Sequence, residues 1–503
     1  MEFFEMRVCI NTLLCLALLW IQVDIASAKP KLPKEHTDFT VKQLKQRPIS
    51  THFGVCTHLH REKHGWSDEM LPMIRNMGMS TYREAVQWKE VEKTKGVYKV
   101  PAYSDRHVNR AIEMGMEPLI IFLYGNKLYE NPMDPEGFAN YANHVIEHFK
   151  GRVKYFEVFN EPNNFAFRSH HGGMWNGIGE EGEKYAVWLI KFVEFASIVT
   201  QRIKDKHPDA FLVGYSMNPP ARHHAFNFPD AWKNLDAIAI HPYSKRLPPE
   251  QRLYGGEGIT KRDGVKTADD DHSVESMIRL NREKLDAMGL EHVKIWVTEA
   301  GNQTSLMLKP RGNFASYNEL TQAAYNTRKA IICLSNGVEK FYYYDYYDDG
   351  NDIHNPAHNF GLLKRDYSPK QAFIAAQRLN ELLYDKVTPT KIKVDVERLA
   401  PWPSDGEVYH DETNFAYLNT PQVHSFTRKD GSSIVFVWRP GRVYGDRQEE
   451  LTHLTISDVK GSLVETGRLV TGEKLQLKTT VENDQLTIKM APYGSDPLYL
   501  IFK

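Results

Sequence analysis

Apolar runs recur along the first three quarters of the chain, and amphipathic segments separate them. Eight such runs lie at residues 52–59, 81–88, 117–125, 155–161, 211–217, 237–243, 294–299 and 340–347. They are continuous rather than alternating in polarity, which is typical of strands buried on both faces. The segments between them, among them 67–77, 105–114, 135–149 and 184–204, have the spacing of amphipathic helices. Eight strands that alternate with helices predict an α/β fold, the (β/α)8 TIM barrel.

The pattern changes at about Asp385. After a last helical segment at 370–383, helical periodicity ends and short alternating runs appear, at 424–428, 433–439, 451–456, 474–480, 485–490 and 498–502. Short polar turns separate these runs, as in an all-β sandwich. We therefore predict a catalytic barrel domain over residues 29–384 and a β-sandwich domain over residues 385–503. The expected role of the sandwich is to stabilise the barrel rather than to bind carbohydrate.

Residues 1–28 have the pattern of a secretory signal peptide. Arg7 precedes an apolar run at 8–20, and Ala26-Ser27-Ala28 gives the small-x-small pattern of a cleavage site. We expect a secreted or periplasmic protein with no membrane span after cleavage. One alternative is an uncleaved anchor, for which the apolar run is short. Another is a lipid attached at Cys15, which lacks the usual small residue before it.

Composition and charge exclude several partners. The 503 residues are 41% hydrophobic, which suffices for a large core, and the formal net charge of -1 argues against nucleic acid. No calcium loop, P-loop or dinucleotide motif is present in the sequence. We therefore expect neither a cofactor nor a metal, and the oligomeric state stays open. Cys56 and Cys333 are the cysteines beyond the predicted signal, and their apolar surroundings favour two buried thiols over a disulfide.

Two of the predicted barrel strands end in a glutamate. Glu161 ends the fourth run in the segment FEVFNEPN, and Glu299 ends the seventh in IWVTEAG. In a parallel barrel both would lie at the mouth and face each other. Retaining glycoside cleavage needs such a pair, one as proton donor and one as nucleophile. The apolar run before Glu161, and a negative charge on Glu299, predict a raised pKa for Glu161.

The motifs FNEPN and TEAG resemble glycoside hydrolase clan A, whose barrels carry catalytic glutamates on strands four and seven. The resemblance covers roughly residues 50–380. It implies that Glu161 is the acid/base and Glu299 the nucleophile, and that Asn160 binds the 2-hydroxyl of the sugar. The phrase around Trp88, together with the NEPN form, is most similar to the xylosidase/iduronidase family and its endoglycosidase relatives.

The same resemblance implies supporting residues on two other strands. Arg83, in TYREAVQW, matches the strand-two arginine that supports the nucleophile. His241 and Tyr243, in AIAIHPYS, match the strand-six positions where the tyrosine hydrogen-bonds the nucleophile. Strand eight departs from the clan. Many members end this strand in a tryptophan that forms the base of the sugar-binding subsite, and KFYYYDYYDDG contains none. A tyrosine such as Tyr344 is the candidate replacement, and the departure concerns the substrate rather than the reaction.

Basic residues gather in the loops after the predicted strands. They are His58, His60, Arg61, Lys63, His64, Arg168, His170, His171, Arg222, His223, His224, Lys245, Arg246, His354 and His358. A positive field at the mouth would suit a substrate with sulfate or uronate groups. The alternative is an ordinary polar loop surface, since glutamates are interspersed. We include His58 among the candidate substrate-binding residues.

Four aromatic residues are candidates for stacking on sugar rings: Trp88, Tyr124, Trp175 and Trp402. Each could equally pack in the core or between domains. Trp175 is the strongest candidate because it lies in a glycine-rich insertion, residues 172–182, after Glu161. Trp402, between two prolines, fits domain packing better.

Two other functional classes remain open. The pair His58-x-His60, with His241 and Asp345, could be fitted to a metal-dependent amidohydrolase barrel, although the other expected ligands are lacking. A catalytically inactive carbohydrate-binding barrel is the second alternative, and the presence of both glutamates argues against it. The glycosylation sequon at Asn302 follows Glu299 closely, and we expect it to be unmodified because a glycan would crowd the mouth.

Overall fold

The computed structural model describes residues 38–61, 67–306, 314–399, 420–441, 449–482 and 485–503. The predicted signal peptide and Trp402 lie outside these ranges. No helix within them is both long enough and apolar enough to cross a membrane.

Eight parallel strands form a closed barrel in sequence order. They are β1 (Ser50–Cys56), β2 (Met79–Gln87), β3 (Glu117–Leu123), β4 (Tyr155–Val158), β5 (Phe211–Val213), β6 (Ala237–Ile240), β7 (Lys294–Ala300) and β8 (Val338–Tyr343). Most residues of these strands are buried, because side chains fill the barrel on one face and pack under helices on the other. The predicted TIM barrel is confirmed.

Twelve α-helices lie in the described residues. They are α1 (Val41–Gln46), α2 (Ser67–Asn76), α3 (Trp88–Val91), α4 (Ala102–Glu113), α5 (Pro135–His148), α6 (Phe167–His171), α7 (Val187–Lys206), α8 (Pro219–Ala225), α9 (Glu257–Asp263), α10 (Val274–Asp286), α11 (Glu319–Ser335) and α12 (Gln371–Leu382). Side-chain caps fix several starts: Asp134 accepts from the Gly137 N–H before α5, and Asn318 accepts from the Thr321 N–H before α11.

Most barrel strands end earlier than the apolar pattern predicts. The fourth run continues to Glu161, but β4 ends at Val158. Phe159 and Glu161 have φ angles of 67° and 40°, in the left-handed region that few side chains adopt. The chain therefore turns within the apolar run. Similarly, β5 and β6 end at Val213 and Ile240, so the residues after them line the mouth rather than the wall.

The C-terminal part forms two antiparallel sheets. The first contains β10 (Lys393–Arg398), β13 (Glu450–Ser457), β16 (Gln485–Tyr493) and β15 (Lys478–Glu482), in that order. The second contains β14 (Leu463–Arg468), β17 (Leu498–Phe502), β12 (Ser433–Trp438), β11 (Gln422–Thr427) and β9 (Thr388–Thr390). The predicted β-sandwich is confirmed.

Three strands of the sandwich were not predicted. β9 is a short edge strand that contains Pro389. β10 is a charged strand whose residues alternate between exposed and half-buried. β14 contains Gly467, which weakens the strand signal of its sequence. The predicted strand at 474–480 begins later, as β15. Polar edge strands carry little apolar pattern, which explains the omissions.

One sheet of the sandwich packs against the barrel. Phe426, Phe436 and Trp438 belong to the same buried apolar cluster as the barrel helices. The Trp438 indole donates to buried Glu250 at 2.9 Å, and Ser335 of α11 lies 2.7 Å from the His424 ring. A continuous core of this kind supports the predicted stabilising role of the sandwich. Cys56 and Cys333 are buried free thiols, as predicted.

Candidate active site

Glu299 lies at the end of β7, with both carboxylate oxygens occupied. Arg83 of β2 donates from Nη1 to Oε1 at 2.7 Å, and the Tyr243 hydroxyl donates to Oε2 at 2.9 Å. Gly301 permits the close approach of β7 and β8 just beyond, since a Cβ there would meet the Tyr344 carbonyl at 1.7 Å. Two donors hold the Glu299 carboxylate in a fixed orientation at the mouth.

Glu161 lies across from Glu299 on the turn after β4. Its backbone N–H donates to Ser216 Oγ at 3.1 Å, and Asn164 Nδ2 donates to its Oε2 at 2.8 Å. One oxygen of Glu161, one of Glu299 and a ring nitrogen of His241 lie within 4.8 Å of one another. The two glutamates therefore face each other across the mouth of the barrel.

The pKa of Glu161 is set by its neighbours rather than by burial alone. Burial raises this pKa, but the hydrogen bond and charge of His241, the Asn164 amide and the charge of Arg83 outweigh it. The pKa of Glu161 is consequently lowered from its ordinary value. The predicted raised pKa is wrong for the substrate-free protein, because His241 lies between the glutamates. The exchangeable proton belongs to the Glu161–His241 pair as a unit.

Glu157, which the motifs did not reveal, is the central buried charge of the site. It is fully buried on β4 and binds Arg83 twice, Oε2 to Nε at 2.6 Å and Oε1 to Nη2 at 3.0 Å. Arg83 Nη2 also donates to Asn160 Oδ1 at 3.0 Å, and Asn160 Nδ2 donates to the Tyr124 hydroxyl at 3.2 Å. The sequence did contain a signal for this pair. Arg83 on β2 and Glu157 on β4 are opposite charges, each within an apolar run, and a buried charge needs a partner.

A chain of hydrogen bonds fixes the hydrogen position on His241. The Thr298 hydroxyl donates its single hydrogen to Glu157 Oε1 at 3.1 Å, so it accepts from His241 Nε2–H at 3.0 Å. With its hydrogen on Nε2, a neutral ring has an acceptor at Nδ1. Nδ1 lies 2.9 Å from Glu161 Oε1, and two acceptors at this distance require a proton between them. Thr298 therefore favours retention of one proton by the Glu161–His241 pair.

A cavity of about 530 Å³ opens above the two glutamates. Its lining includes Arg83, Asn160, Glu161 and Glu299, together with the predicted His58, Tyr124, Tyr243 and Tyr344. The Tyr344 ring lies 5.5 Å from the Phe360 ring and 6.2 Å from the Tyr243 ring, between centroids. Aromatic rings from the chain after β8 thus line the cavity, and no tryptophan is among its lining residues in the described part of the chain.

A second cavity, of about 280 Å³, adjoins the first. Glu161, Asn164, Tyr243 and Lys245 line both cavities, whereas Glu299 lines only the larger. Trp175 and Tyr254 contribute rings to the smaller cavity, with centroids 6.5 Å apart. Trp175 therefore lines the cavity that adjoins the site and stays a candidate for stacking on a sugar ring. His241, 2.9 Å from Glu161, lines the same cavity.

Trp88 is not part of the site, and its prediction as a sugar platform is wrong. It is fully buried at the start of α3, where it packs against Tyr129, Phe138 and Tyr141. Its indole donates to Glu92 at 2.6 Å. β2 ends at Gln87, so Trp88 has left the barrel wall and points under a helix instead of into the mouth.

The basic loop residues do not all face the mouth. Arg222, His223 and His224 are buried in α8, and Arg222 donates to backbone carbonyls. Arg168 donates to the Gly173 carbonyl at 3.2 Å. Lys63 and His64 lie outside the described residues. Of the remainder, His58, His60, Arg61 and Lys245 line the larger cavity. The predicted positive face is therefore confined to a few side chains.

His58, Asp345 and Asp349 bring donor atoms within 4.8 Å of one another at the edge of this cavity. In the amidohydrolase alternative, His58 and His60 would bind the same metal ion. His60 Nδ1 instead lies 2.6 Å from Glu84 Oε1. Arg61 donates to Asp349 at 2.7 Å and supplies a positive charge there. Burial raises the pKa of Asp345 well above its usual range. The cluster thus already contains a cation, and it is not the His-x-His site of the alternative.

Asn302, the acceptor of the sequon, is 3% exposed. Its backbone N–H donates to Asn326 Oδ1 at 3.0 Å. A folded chain offers no room for a glycan at this side chain, which agrees with the expectation that it is unmodified.

Comparisons with known proteins place this fold among glycoside hydrolases. The fold is similar to that of a family 39 glycoside hydrolase from Bacteroides cellulosilyticus WH2, with a TM-score of 0.64 and 22% identity over 92% of this chain and 82% of that one. It is also similar to a monomeric beta-xylosidase from Caulobacter crescentus CB15, with a TM-score of 0.53 and 14% identity over 91% and 97% of the two chains. At these identities the likeness establishes the fold.

Sequence similarity to curated proteins is local. The chain is 28% identical to beta-glucosidase 40 of Arabidopsis thaliana over 120 residues, which are 21% of this chain and 23% of the relative. It is 31% identical to beta-glucosidase 47 of the same plant over 108 residues, 18% and 20% of the two chains. The chain thus spans less than a quarter of the length of these relatives. No family model matches it.

Proposed function

We propose that this protein is a retaining glycoside hydrolase. The observation that carries the proposal is the facing pair Glu161 and Glu299, whose carboxylate oxygens lie within 4.8 Å in a cavity at the barrel mouth. Retaining enzymes hold their carboxyl groups about 5–5.5 Å apart, whereas inverting enzymes leave room for a water molecule between them. The glycoside hydrolases of similar fold, and the resemblance to clan A, point the same way.

The two glutamates have different surroundings that suit different roles. Glu299 receives hydrogen bonds from Arg83 and Tyr243, which keep an ionised oxygen aligned for attack on the anomeric carbon. Glu161 shares a proton with His241 and delivers it to the leaving oxygen as the glycosidic bond breaks. In the second step Glu161 takes a proton from water, and the resulting hydroxide displaces Glu299 from the sugar.

The positions of Asn160 and Tyr124 suit recognition of the sugar. Both line the larger cavity, and Asn160 is held by Arg83 and Tyr124 rather than free to rotate. An amide held in this way suits the 2-hydroxyl contact that the clan resemblance implies. His58 and Tyr344 line the same cavity and complete the proposed sugar-binding set, with Trp175 beside the acid.

The proposed substrate is a poly- or oligosaccharide, with sulfated or uronate-containing chains included. The predicted signal peptide implies that the protein acts outside the cytoplasm. Two adjoining cavities that meet at Glu161 would accommodate the sugars on both sides of the bond to be cleaved. No cofactor is invoked, because two carboxyl groups suffice for this chemistry.

A screen on neutral and sulfated polysaccharides tests the proposal, with the first-formed anomer followed by NMR. We expect retention of configuration, and an inverted first product would refute double displacement. Glu299→Gln should abolish turnover without unfolding the protein, which circular dichroism checks, and a fluoro-glycoside should label Glu299 covalently. Glu90→Gln, a partly exposed glutamate that lines neither cavity, is the matched control. Labelling also excludes a catalytically inactive barrel.

A further inference from the structure

The two cavities suit the sugars on opposite sides of the cleaved bond. Glu299 lines only the larger cavity, so the sugar attacked at its anomeric carbon lies there. Glu161, the proposed proton donor to the leaving oxygen, lines both. The smaller cavity therefore belongs to the leaving group. This assignment rests on the proposed function.

The basic side chains of the larger cavity already contact carboxylates. Arg61 binds Asp349, and His60 lies 2.6 Å from an oxygen of buried Glu84. Arg83 binds Glu299 and a second buried glutamate. A sulfate or carboxylate on the attacked sugar would have to compete with these partners for charge. Apart from Lys245, which both cavities share, the larger cavity thus offers an anion little uncompensated positive charge.

The two cations of the smaller cavity lack such ion pairs, and only the more distant charge of Glu161 opposes them. Neither Lys245 nor Arg252 has a carboxylate partner within the described part of the chain. Arg252 is 7% exposed, its Nη1 contacts Met277 Sδ at 3.6 Å, and its buried Nε has no hydrogen-bond partner there. Its guanidinium lies 4.8 Å from the centre of the Tyr254 ring. A buried guanidinium with donors to spare is costly unless an anion completes it.

Lys245 brings a second positive charge to the same cavity from the loop after β6. The Nζ atom lies 5.8 Å from the centre of the Phe314 ring, which lines the larger cavity. The pKa of Lys245 is lowered by desolvation of its amine and by the charge of Arg252, against the opposing charge of Glu161. The mutual repulsion of the two cations is a further free-energy cost in the substrate-free protein. A bound anion between them would remove it.

We propose that Lys245 and Arg252 bind a carboxylate or sulfate group on the leaving-group sugar. Arginine and lysine form charge-assisted hydrogen bonds with both groups, and arginine can do so in bidentate fashion. The rings of Trp175 and Tyr254 line the same cavity and offer apolar surface for the sugar itself. The substrate would therefore carry its charge on the leaving-group side of the cleaved bond, next to the proton donor.

Calorimetric titration of the full chain with glucuronate, glucose 6-sulfate and glucose tests the site without requiring turnover. We expect one or both anionic sugars to bind more tightly than glucose, and the preferred anion identifies the group as uronate or sulfate. Arg252→Gln and Lys245→Gln should each reduce this preference roughly 10-fold or more, since hydrogen bonds to charged groups contribute about 1.5–3 kcal/mol. Raised salt should weaken only the anionic sugars.

Arg61→Gln is the matched control, because Arg61 is a cation of the larger cavity with a carboxylate partner. It should leave the anion preference unchanged. Equal binding of the three sugars to the unmodified protein overturns the proposal. So does the reverse pattern, in which the preference for anionic sugars is lost in Arg61→Gln and kept in Arg252→Gln. If Arg252→Gln does not fold, the exposed Lys245 provides the same test.

The two proposals can fail separately. If Glu299→Gln keeps its turnover while Arg252→Gln loses the anion preference, the proposed role of Glu299 as nucleophile fails and the anion site stands. If retention of configuration is observed and the preference is absent, the anion site fails alone.

Discussion

Thr298→Val should move the alkaline limb of the pH–activity profile to lower pH. In the unmodified protein the Thr298 hydroxyl accepts from His241 Nε2–H, which leaves Nδ1 as the acceptor that requires a proton from Glu161. Valine cannot accept a hydrogen bond. The ring hydrogen is then free to move to Nδ1, where it satisfies an ionised Glu161 without a further proton. The pair loses its catalytic proton more readily as pH rises.

The size of the shift follows from one buried hydrogen bond. Thr298 is fully buried and lies 3.0 Å from the ring nitrogen. Leaving a buried donor without an acceptor costs about 1–3 kcal/mol. Since one pKa unit corresponds to about 1.36 kcal/mol, the limb should move by roughly 1–2 pH units. Valine is nearly isosteric with threonine, and Glu157 keeps both hydrogen bonds from Arg83.

The assay compares kcat/KM across pH for two aryl glycosides of the same sugar. One has an unactivated leaving group that needs protonation, and the other has a 2,4-dinitrophenyl group that does not. We expect the shift in the first and little change in the second, because general acid catalysis matters only for poor leaving groups. Thr298→Ser restores the hydroxyl and should restore the profile.

Two results would refute the reasoning on Thr298. An equal loss of activity on both glycosides, with the alkaline limb in place, would mean that the valine disturbs the site as a whole. A shift that Thr298→Ser retains would mean that the hydroxyl does not hold the ring hydrogen.

The remaining predictions concern stability, recognition and metal dependence. Glu157→Gln should lower the free energy of unfolding in urea by about 3 kcal/mol, because it leaves a buried arginine with one charged partner, whereas the exposed ion-pair residue Glu136→Gln should change it by under about 1 kcal/mol. The pKa of Glu84 is lowered to about 2, because the charge and the hydrogen bond of His60 outweigh burial. The contribution of Glu84 to stability is therefore complete above about pH 4.5 and is lost as pH falls towards 2. Glu84→Gln should flatten this acid dependence when denaturation is measured across pH. Trp88→Ala should lower the unfolding free energy by about 3–5 kcal/mol without changing KM, while Trp175→Ala should raise KM about fivefold or more and leave stability unchanged. Chelator treatment should leave activity intact, and a loss that zinc restores would favour the metal-dependent alternative.

The barrel could be predicted because its strands are buried on both faces. Continuous apolar runs such as 117–125 and 294–299 leave few other structures open, and β3 and β7 lie there. The strand ends could not be predicted as well. Phe159 continues the apolar pattern beyond the end of β4, because its ring packs against Phe138 of α5 and Phe195 of α7 rather than within the sheet.

The candidate site could be predicted in outline but not in its connections. Glu161 and Glu299 stand in short motifs at strand ends, so their proximity follows from the parallel topology. The roles of Glu157 and Thr298 depend on contacts between strands that are distant in the sequence. The hydrogen bond between these two residues joins β4 and β7 over 141 residues. Trp88 shows the reverse case: its position next to a strand end suggested the mouth, but the local turn directs it into the core.

The sequence by itself determined the barrel, the sandwich and the two facing glutamates, because hydrophobic periodicity and strand-end motifs are local properties. Only the tertiary structure decided the protonation partner of Glu161, the exclusion of Trp88 and the meeting of Lys245 and Arg252 in one cavity. The physical reason is that electrostatic interactions depend on distances of a few ångströms between residues far apart in the chain. Those distances exist only after the barrel closes.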